Sequence, residues 1–204
     1  MKIRCVVTGH DARGKSVVAR DADVEPVTLG SMPGYEFHRL WASESVPKLP
    51  SDGTQPPHGR YFPSQGGFRF AFFVVPPGGR RSAERSTRIG FATARVERAE
   101  RPKQVDSAAA GAEQIDPAAA LAELEEKLPG LAETLEPQHP GMHTTDTVDF
   151  DVVVSGEICL ELDDGKEVLL KAGDCVVQNG TRHAWRNRSS QNCVIAVTLV
   201  GAKR

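Results

Sequence analysis

The stretch from Glu157 to Lys171 constrains the fold more than any other part of the sequence. Ile158, Leu160 and Leu162 alternate with Glu157, Cys159 and Glu161, the period-two pattern of a strand with one buried face. Asp163-Asp164-Gly165 follows as a hairpin turn signal, and Lys166 to Lys171 supplies the return strand. Val194 to Val200 reads as a closing apolar strand. Short strands joined by tight turns at this spacing argue for a β-barrel or sandwich.

The first hundred residues carry strand signals of their own. Ile3 to Thr8 and Ser16 to Ala19 flank a Gly-containing turn and read as a hairpin. Glu36 to Trp41 is a short strand, and Phe68 to Val75 a stronger one closed by Pro76-Pro77-Gly78-Gly79. Ser43 to Gly67, rich in Pro, Gly and Ser, reads as a surface loop, and Arg88 to Val96 as a further strand or extended arm. Over residues 102–137 the character changes. Asp116 is placed to cap a helix with Pro117 at its first position, and Leu121, Leu124 and Leu128 follow three and four apart. Pro129-Gly130 ends it, which makes a short packing or linker helix.

Gly9 to Ser16 fits the phosphate-binding pattern G-x-x-x-x-G-K-[ST]. Such a loop must open a helix whose N-terminus helps to hold the phosphate. The residues after Ser16 are too β-branched, and too soon followed by Pro26, to form one. Asp11 to Gly14 is better read as a hairpin turn.

Composition narrows the function classes. With 25% charged residues and a formal net charge of −2, no global basic field invites nucleic acid. The charge is uneven, basic from Arg80 to Lys103 and acidic from Asp106 to Glu136, which reads as a solvated linker. Cys5, Cys159, Cys175 and Cys193 lack metal-knuckle spacing, and three lie in apolar runs where a free thiol behaves as a small hydrophobe. The N-terminus lacks the apolar core of a signal peptide, and no apolar run approaches the roughly eighteen residues of a membrane span. The expectation is a cytoplasmic protein with no membrane and no nucleic-acid partner.

Two segments carry the chemistry. The first runs from Pro140 through His143, Thr145 and Asp149 to Gly156. The second runs from Gly173-Asp174 through Gln178 and Gly180 to His183, Trp185 and Asn187. Together they resemble the two signature motifs of the cupin superfamily, over about residues 138–200. In that family the first motif is His-x-His, then Glu, then Gly; the second is Gly-Asp, Pro-x-Gly, His and Asn. Here Thr145 replaces the second His, Asp149 replaces Glu, and Gln178 replaces Pro. The resemblance implies an all-β fold, a double-stranded β-helix or jelly-roll barrel. It would have an N-terminal β-rich arm (1–105), a linker with one short helix (106–137) and a barrel core (138–204). It also implies pairing into a homodimer through such an arm.

Carried over position by position, the resemblance makes His143, Asp149 and His183 the metal ligands. Two imidazoles and a carboxylate suit Fe(II), and similar sets hold Mn, Ni or Zn. His143, Thr145, Thr147 and Asp149 share parity, so an extended strand would point them to one face. Thr145, Gln178, Trp185 and Asn187 are candidate contacts to substrate, ligated water or imidazole N–H groups. His139, Asp146 and Asp151 read as surface residues. The function implied is a metal-dependent enzyme acting on a small organic molecule, an oxygenase or oxidoreductase, or a lyase or isomerase. The alternative is a non-catalytic binding or structural cupin with a degenerate metal site, for which Thr145 and Asp149 speak.

Overall fold

The computed structural model describes residues 1–78 and 116–204; the expected strand at Arg88–Val96 and most of the charge-asymmetric linker lie outside them. Ten strands, one α-helix and two short 3-10 turns make up the described chain. Strands β1 (Ile3–His10) and β2 (Ser16–Val24) form a hairpin, β3 (Glu36–Ser43) and β4 (Phe68–Val75) follow, and then α1 (Pro117–Lys127). The remainder is β5 (Thr147–Ser155), β6 (Glu157–Glu161), β7 (Glu167–Lys171), β8 (Cys175–Asn179), β9 (Ala184–Arg186) and β10 (Cys193–Gly201).

Local chemistry accounts for the elements the sequence announces. Asp116 caps α1 by accepting from the Ala118 N–H at 3.0 Å, Pro117 opens it, and Gly130 at φ +84° lies just beyond its end. The segment that mimics a phosphate loop is a hairpin turn, where Asp11 Oδ1 accepts the backbone N–H groups of Arg13 and Lys15 at 2.8 and 2.9 Å.

The strands build a five-stranded sheet in the order β3-β4-β10-β5-β8 and a three-stranded sheet in the order β7-β6-β9, all paired antiparallel. Between them lies a core of Val75, Val153, Ile158, Leu160, Leu170, Cys193 and Ile195. A second cluster places Leu124 of α1 and Leu128 just past its end against Leu29, Phe37 and Leu131. The sheets corroborate the all-β expectation. β4 pairs with β10 from Cys193 to Val200 and β3 pairs with β4, so both strands are part of the five-stranded sheet. Among the described strands, β1 and β2 form a separate two-stranded sheet.

Parity sorts the five-stranded sheet into two faces. Thr147, Asp149, Asp151 and Val153 of β5 are buried toward the interior, while Phe150, Val152 and Val154 are exposed. Phe70 and Val177, on the same rows as Phe150, continue the exposed apolar outer face. Gly156 makes the β5–β6 corner at φ +78°, where an added Cβ would lie 2.6 Å from the Asn192 carbonyl oxygen. Gly173 also has positive φ (+96°) but nothing within 4 Å of its virtual Cβ. Gly173→Ala should therefore cost only backbone strain, about 1 kcal/mol, and Gly156→Ala about 3 kcal/mol or more, since strain and clash combine. Urea unfolding of the two variants checks this; equal losses would refute the close contact.

Candidate functional site

The two motif segments meet backbone to backbone. His143 N–H donates to the His183 carbonyl at 2.9 Å, and His183 N–H donates back to His143 at 3.0 Å. This reciprocal bridge brings the imidazoles together, with ring centroids 4.2 Å apart and planes at 50°. Trp185, one parity step from His183, stands edge-on to it at 5.9 Å and packs partly into the core.

Each imidazole is oriented by a nearby carbonyl. Nδ1 of His143 lies 3.0 Å from the Gly141 oxygen, and Nδ1 of His183 lies 2.9 Å from the Thr181 oxygen. Burial lowers the pKa of both; that of His183 falls to about 4, burial acting first and the neighbouring His143 second. Neutral rings facing carbonyls carry the proton on Nδ1, which leaves each Nε2 with a free lone pair.

The carboxylate expected to join them sits elsewhere. Asp149 is buried on β5, directly opposite Gln178 of β8 on one side and Leu199 of β10 on the other. The acid whose charge reaches His143 is Glu136, which is itself held bidentately by Arg182 at 2.6 and 2.7 Å. Among the described residues no group of three or more His, Cys, Asp or Glu side chains is placed to hold a metal ion. The structure thus brings together His143 and His183 and leaves the His143, Asp149, His183 triad incomplete. Asp is one methylene shorter than the family's Glu, and its inward carboxyl is directed to the sheet interior.

The other candidates divide similarly. Thr145 is buried, accepts a 2.8 Å hydrogen bond from Thr147 Oγ1, and lines a 790 Å³ cleft with Glu44, Arg60, Glu133 and Arg204. Asn187 does not orient an imidazole: its Nδ2 donates to the Val75 and Gln191 carbonyls and its Oδ1 accepts from Ser189, so it ties the β9–β10 loop to β4. Gln178 Oε1 accepts from Thr181 Oγ1 at 2.5 Å, yet its buried Nε2 has no partner among the described residues. Asp149 Oδ1, on the residue directly opposite, is buried and likewise without a partner. His139 and Asp146 are surface residues paired to Glu136 and Arg204.

Asp151 reverses its expected exposure. It is 5% exposed, on the inner face two residues from Asp149. Burial raises Asp149 to about 6, and burial with the nearby Asp149 raises Asp151 to about 7. Tyr61 lies beside them: burial raises its phenol, with Arg39 opposing and both carboxyls adding to the effect. The parity of β5 signalled Asp151; nothing local signalled Tyr61 or Arg39.

Fold and paired imidazoles define this protein as a double-stranded β-barrel with a histidine pair at its motif junction. The family model described as a cupin domain matches residues 132–200, and that segment is a cupin domain. Oryzines biosynthesis cluster protein J of Aspergillus oryzae is 53% identical over 55 residues, covering 25% of this chain and 31% of that protein. Phomopsin biosynthesis cluster proteins C' and D of Diaporthe leptostromiformis are each 56% identical over 48 residues, 24% of this chain and 25% of theirs. The chain therefore matches less than a third of the length of these relatives. Among solved structures, a putative ethanolamine utilization protein Q from Salmonella typhimurium is 10% identical, covering 100% of this chain and 99% of that one at a TM-score of 0.41. A predicted oxalate decarboxylase from Thermotoga maritima is 14% identical, covering 90% and 98% at a TM-score of 0.41. Among the described residues no helix is long and apolar enough to cross a membrane.

The raised Asp151 makes a test of this interior. At about pH 3 and below, Asp151 is largely protonated whether folded or not. Between about pH 4 and its folded value of about 7 only the unfolded chain ionises, so stability falls as pH rises and levels off above. Asp151→Asn should match the parent near pH 3 and exceed it by roughly 4 kcal/mol at pH 8, about three pKa units at about 1.4 kcal/mol each. Urea titrations at both values decide it; a variant less stable at pH 8 would show that the carboxylate is compensated.

Proposed function

We propose that this chain is a small-molecule cupin whose ligand sits inside the barrel and is held by hydrogen bonds, not by a three-ligand metal centre. The observation that carries this is the opposed pair Gln178 Nε2 and Asp149 Oδ1. A buried donor and a buried acceptor face each other across β5 and β8 without bonding each other or any other described group. Unmet buried polar atoms are costly, and a guest that accepts from one and donates to the other relieves both. A hydroxyl, a carboxylic acid or a primary amide has that dual character. The neutral His143 and His183 present two further Nε2 acceptors. The biosynthesis-cluster names of the relatives support placing this guest among the intermediates or products of a biosynthetic route.

A second reading, a metal-dependent enzyme of the oxygenase, oxidoreductase, lyase or isomerase type using Fe, Mn, Ni or Zn, is favoured by one observation. Both imidazoles have Nδ1 facing a backbone carbonyl, the arrangement that leaves Nε2 open to a metal. Metal analysis by mass spectrometry separates the readings. We expect well under one equivalent of Fe, Mn, Ni and Zn, unchanged in His143→Ala and His183→Ala. One equivalent that vanishes in both variants would establish the second reading. For the first, native mass spectrometry of the purified protein should show a small organic adduct that Gln178→Leu loses; an adduct indifferent to Gln178 would refute it.

A further inference from the structure

A cavity of 250 Å³ lies along β3, separate in its lining from His143, Asp149 and His183. Its charged lining is cationic: Arg20, Arg39 and Arg69 border it, and among the described residues no carboxylate does. Two of the three guanidinium groups are already engaged. Arg69, 4% exposed, donates to the carbonyls of Ser43, Phe68, Arg60 and Phe62 at 3.0 to 3.4 Å and pairs with Glu44. Arg20 reaches the Leu40 carbonyl at 3.3 Å. Arg39 is different. Its Nη2 is buried and has no hydrogen-bond partner among the described residues. A guanidinium N–H taken out of water without an acceptor is a standing demand for an anion.

The lining also holds large apolar side chains. Trp41 and Phe70 are directly paired across β3 and β4, with Phe70 38% exposed, and both border the cavity. The bulge between Arg39 and Trp41 sets Arg39 opposite Ala71 and Trp41 opposite Phe70, and the cavity is bordered by residues of both pairs.

We propose that this cavity binds a small organic monocarboxylate, with its carboxylate on Arg39 and its apolar body against Trp41 and Phe70. The planar guanidinium matches a carboxylate, and the aromatic pair selects against a compact inorganic anion, which has no apolar part to bury. His58 borders both this cavity and the 790 Å³ cleft at Thr145, so the two spaces adjoin. The site makes no use of the histidine pair and stands or falls independently of it.

Thermal shift and calorimetric titration of the full chain with sodium hexanoate, acetate, hexylamine and inorganic phosphate test the proposal. Hexanoate should raise the melting temperature saturably and bind at least tenfold more tightly than acetate or phosphate, with hexylamine silent. Arg39→Gln should weaken hexanoate at least tenfold. Phe70→Ser, at an exposed outer position that leaves the guanidinium in place, should reduce the preference for hexanoate over acetate. His183→Ala should bind hexanoate as the parent does. The proposal is overturned by absence of a saturable hexanoate response, by phosphate or hexylamine binding as tightly, or by parent-like binding in folded Arg39→Gln. An unchanged hexanoate preference in Phe70→Ser refutes the apolar wall, and loss of hexanoate in His183→Ala would place the carboxylate in the barrel interior instead.

Discussion

The pairing of β10 with two partners at once governs the rest of this structure. On one side β10 runs against β4 from Cys193 to Val200, and on the other against β5 from Val194 to Gly201. This welds the N-terminal half of the chain to the cupin segment at residues 132–200. It also sets the rows of the inner face. Leu199 lies between Arg69 and Asp149, and Val197 lies between Ala71 and Asp151, with Arg39 opposite Ala71 at the end of that row. A one-residue slip of β10 against either neighbour would turn its facing side chains from interior to solvent. The cationic cavity and the polar floor of the barrel are thus fixed relative to each other by one strand.

The loop from Ser43 to Gly67 follows from the same anchor. Propensity gave it no placement, because Pro, Gly and Ser describe a chain that turns without saying where. What seats it is Arg69, an inward cation on β4 whose guanidinium gathers carbonyls from both ends of the loop together with Glu44. Buried backbone carbonyls need donors, and an Arg side chain supplies several in a fixed fork. Gly201 closes the other side, its missing Cβ leaving room for the Ser64 carbonyl oxygen that would otherwise lie 1.9 Å away. Once seated, the loop brings Gln55, His58 and Tyr61 to the cavity edge.

Much of this was legible in the sequence, and the failures have physical causes. The hairpins at β1–β2 and β6–β7, the strand at Phe68–Val75 and the capped helix follow from turn chemistry and alternation. The motif spacing correctly joined His143 to His183, since the two residues bridge each other directly. What the motif could not show is that Asp149 lies buried directly opposite Gln178, with no metal-holding group of three His, Cys, Asp or Glu among the described residues. Parity already placed Asp151 with Asp149, yet polarity argued for exposure, and parity won. Arg39 and Tyr61 were invisible because a strand bulge and a long-range loop, neither marked by composition, deliver them.

The strand β5 shows why polarity misled. Its sequence is inverted relative to an ordinary barrel strand, with carboxyls at 149 and 151 inside and Phe150, Val152 and Val154 outside, exposed by 48, 40 and 44%. Burying those carboxyls raises their pKa values because the ionised form is desolvated, so this arrangement opposes folding near neutral pH. The fold tolerates it because Val153, Ile195 and Ile158 complete a dry core at the far end of the same strands. A strand shaped for stability alone would carry aliphatic residues at 149 and 151, as it does at 153. The division of the interior into an apolar end that holds the barrel and a polar end that destabilises it is the arrangement expected when binding, and not packing, sets the residues. Unmatched hydrogen-bonding atoms at Asp149, Gln178 and Arg39 all fall on the polar side of that division.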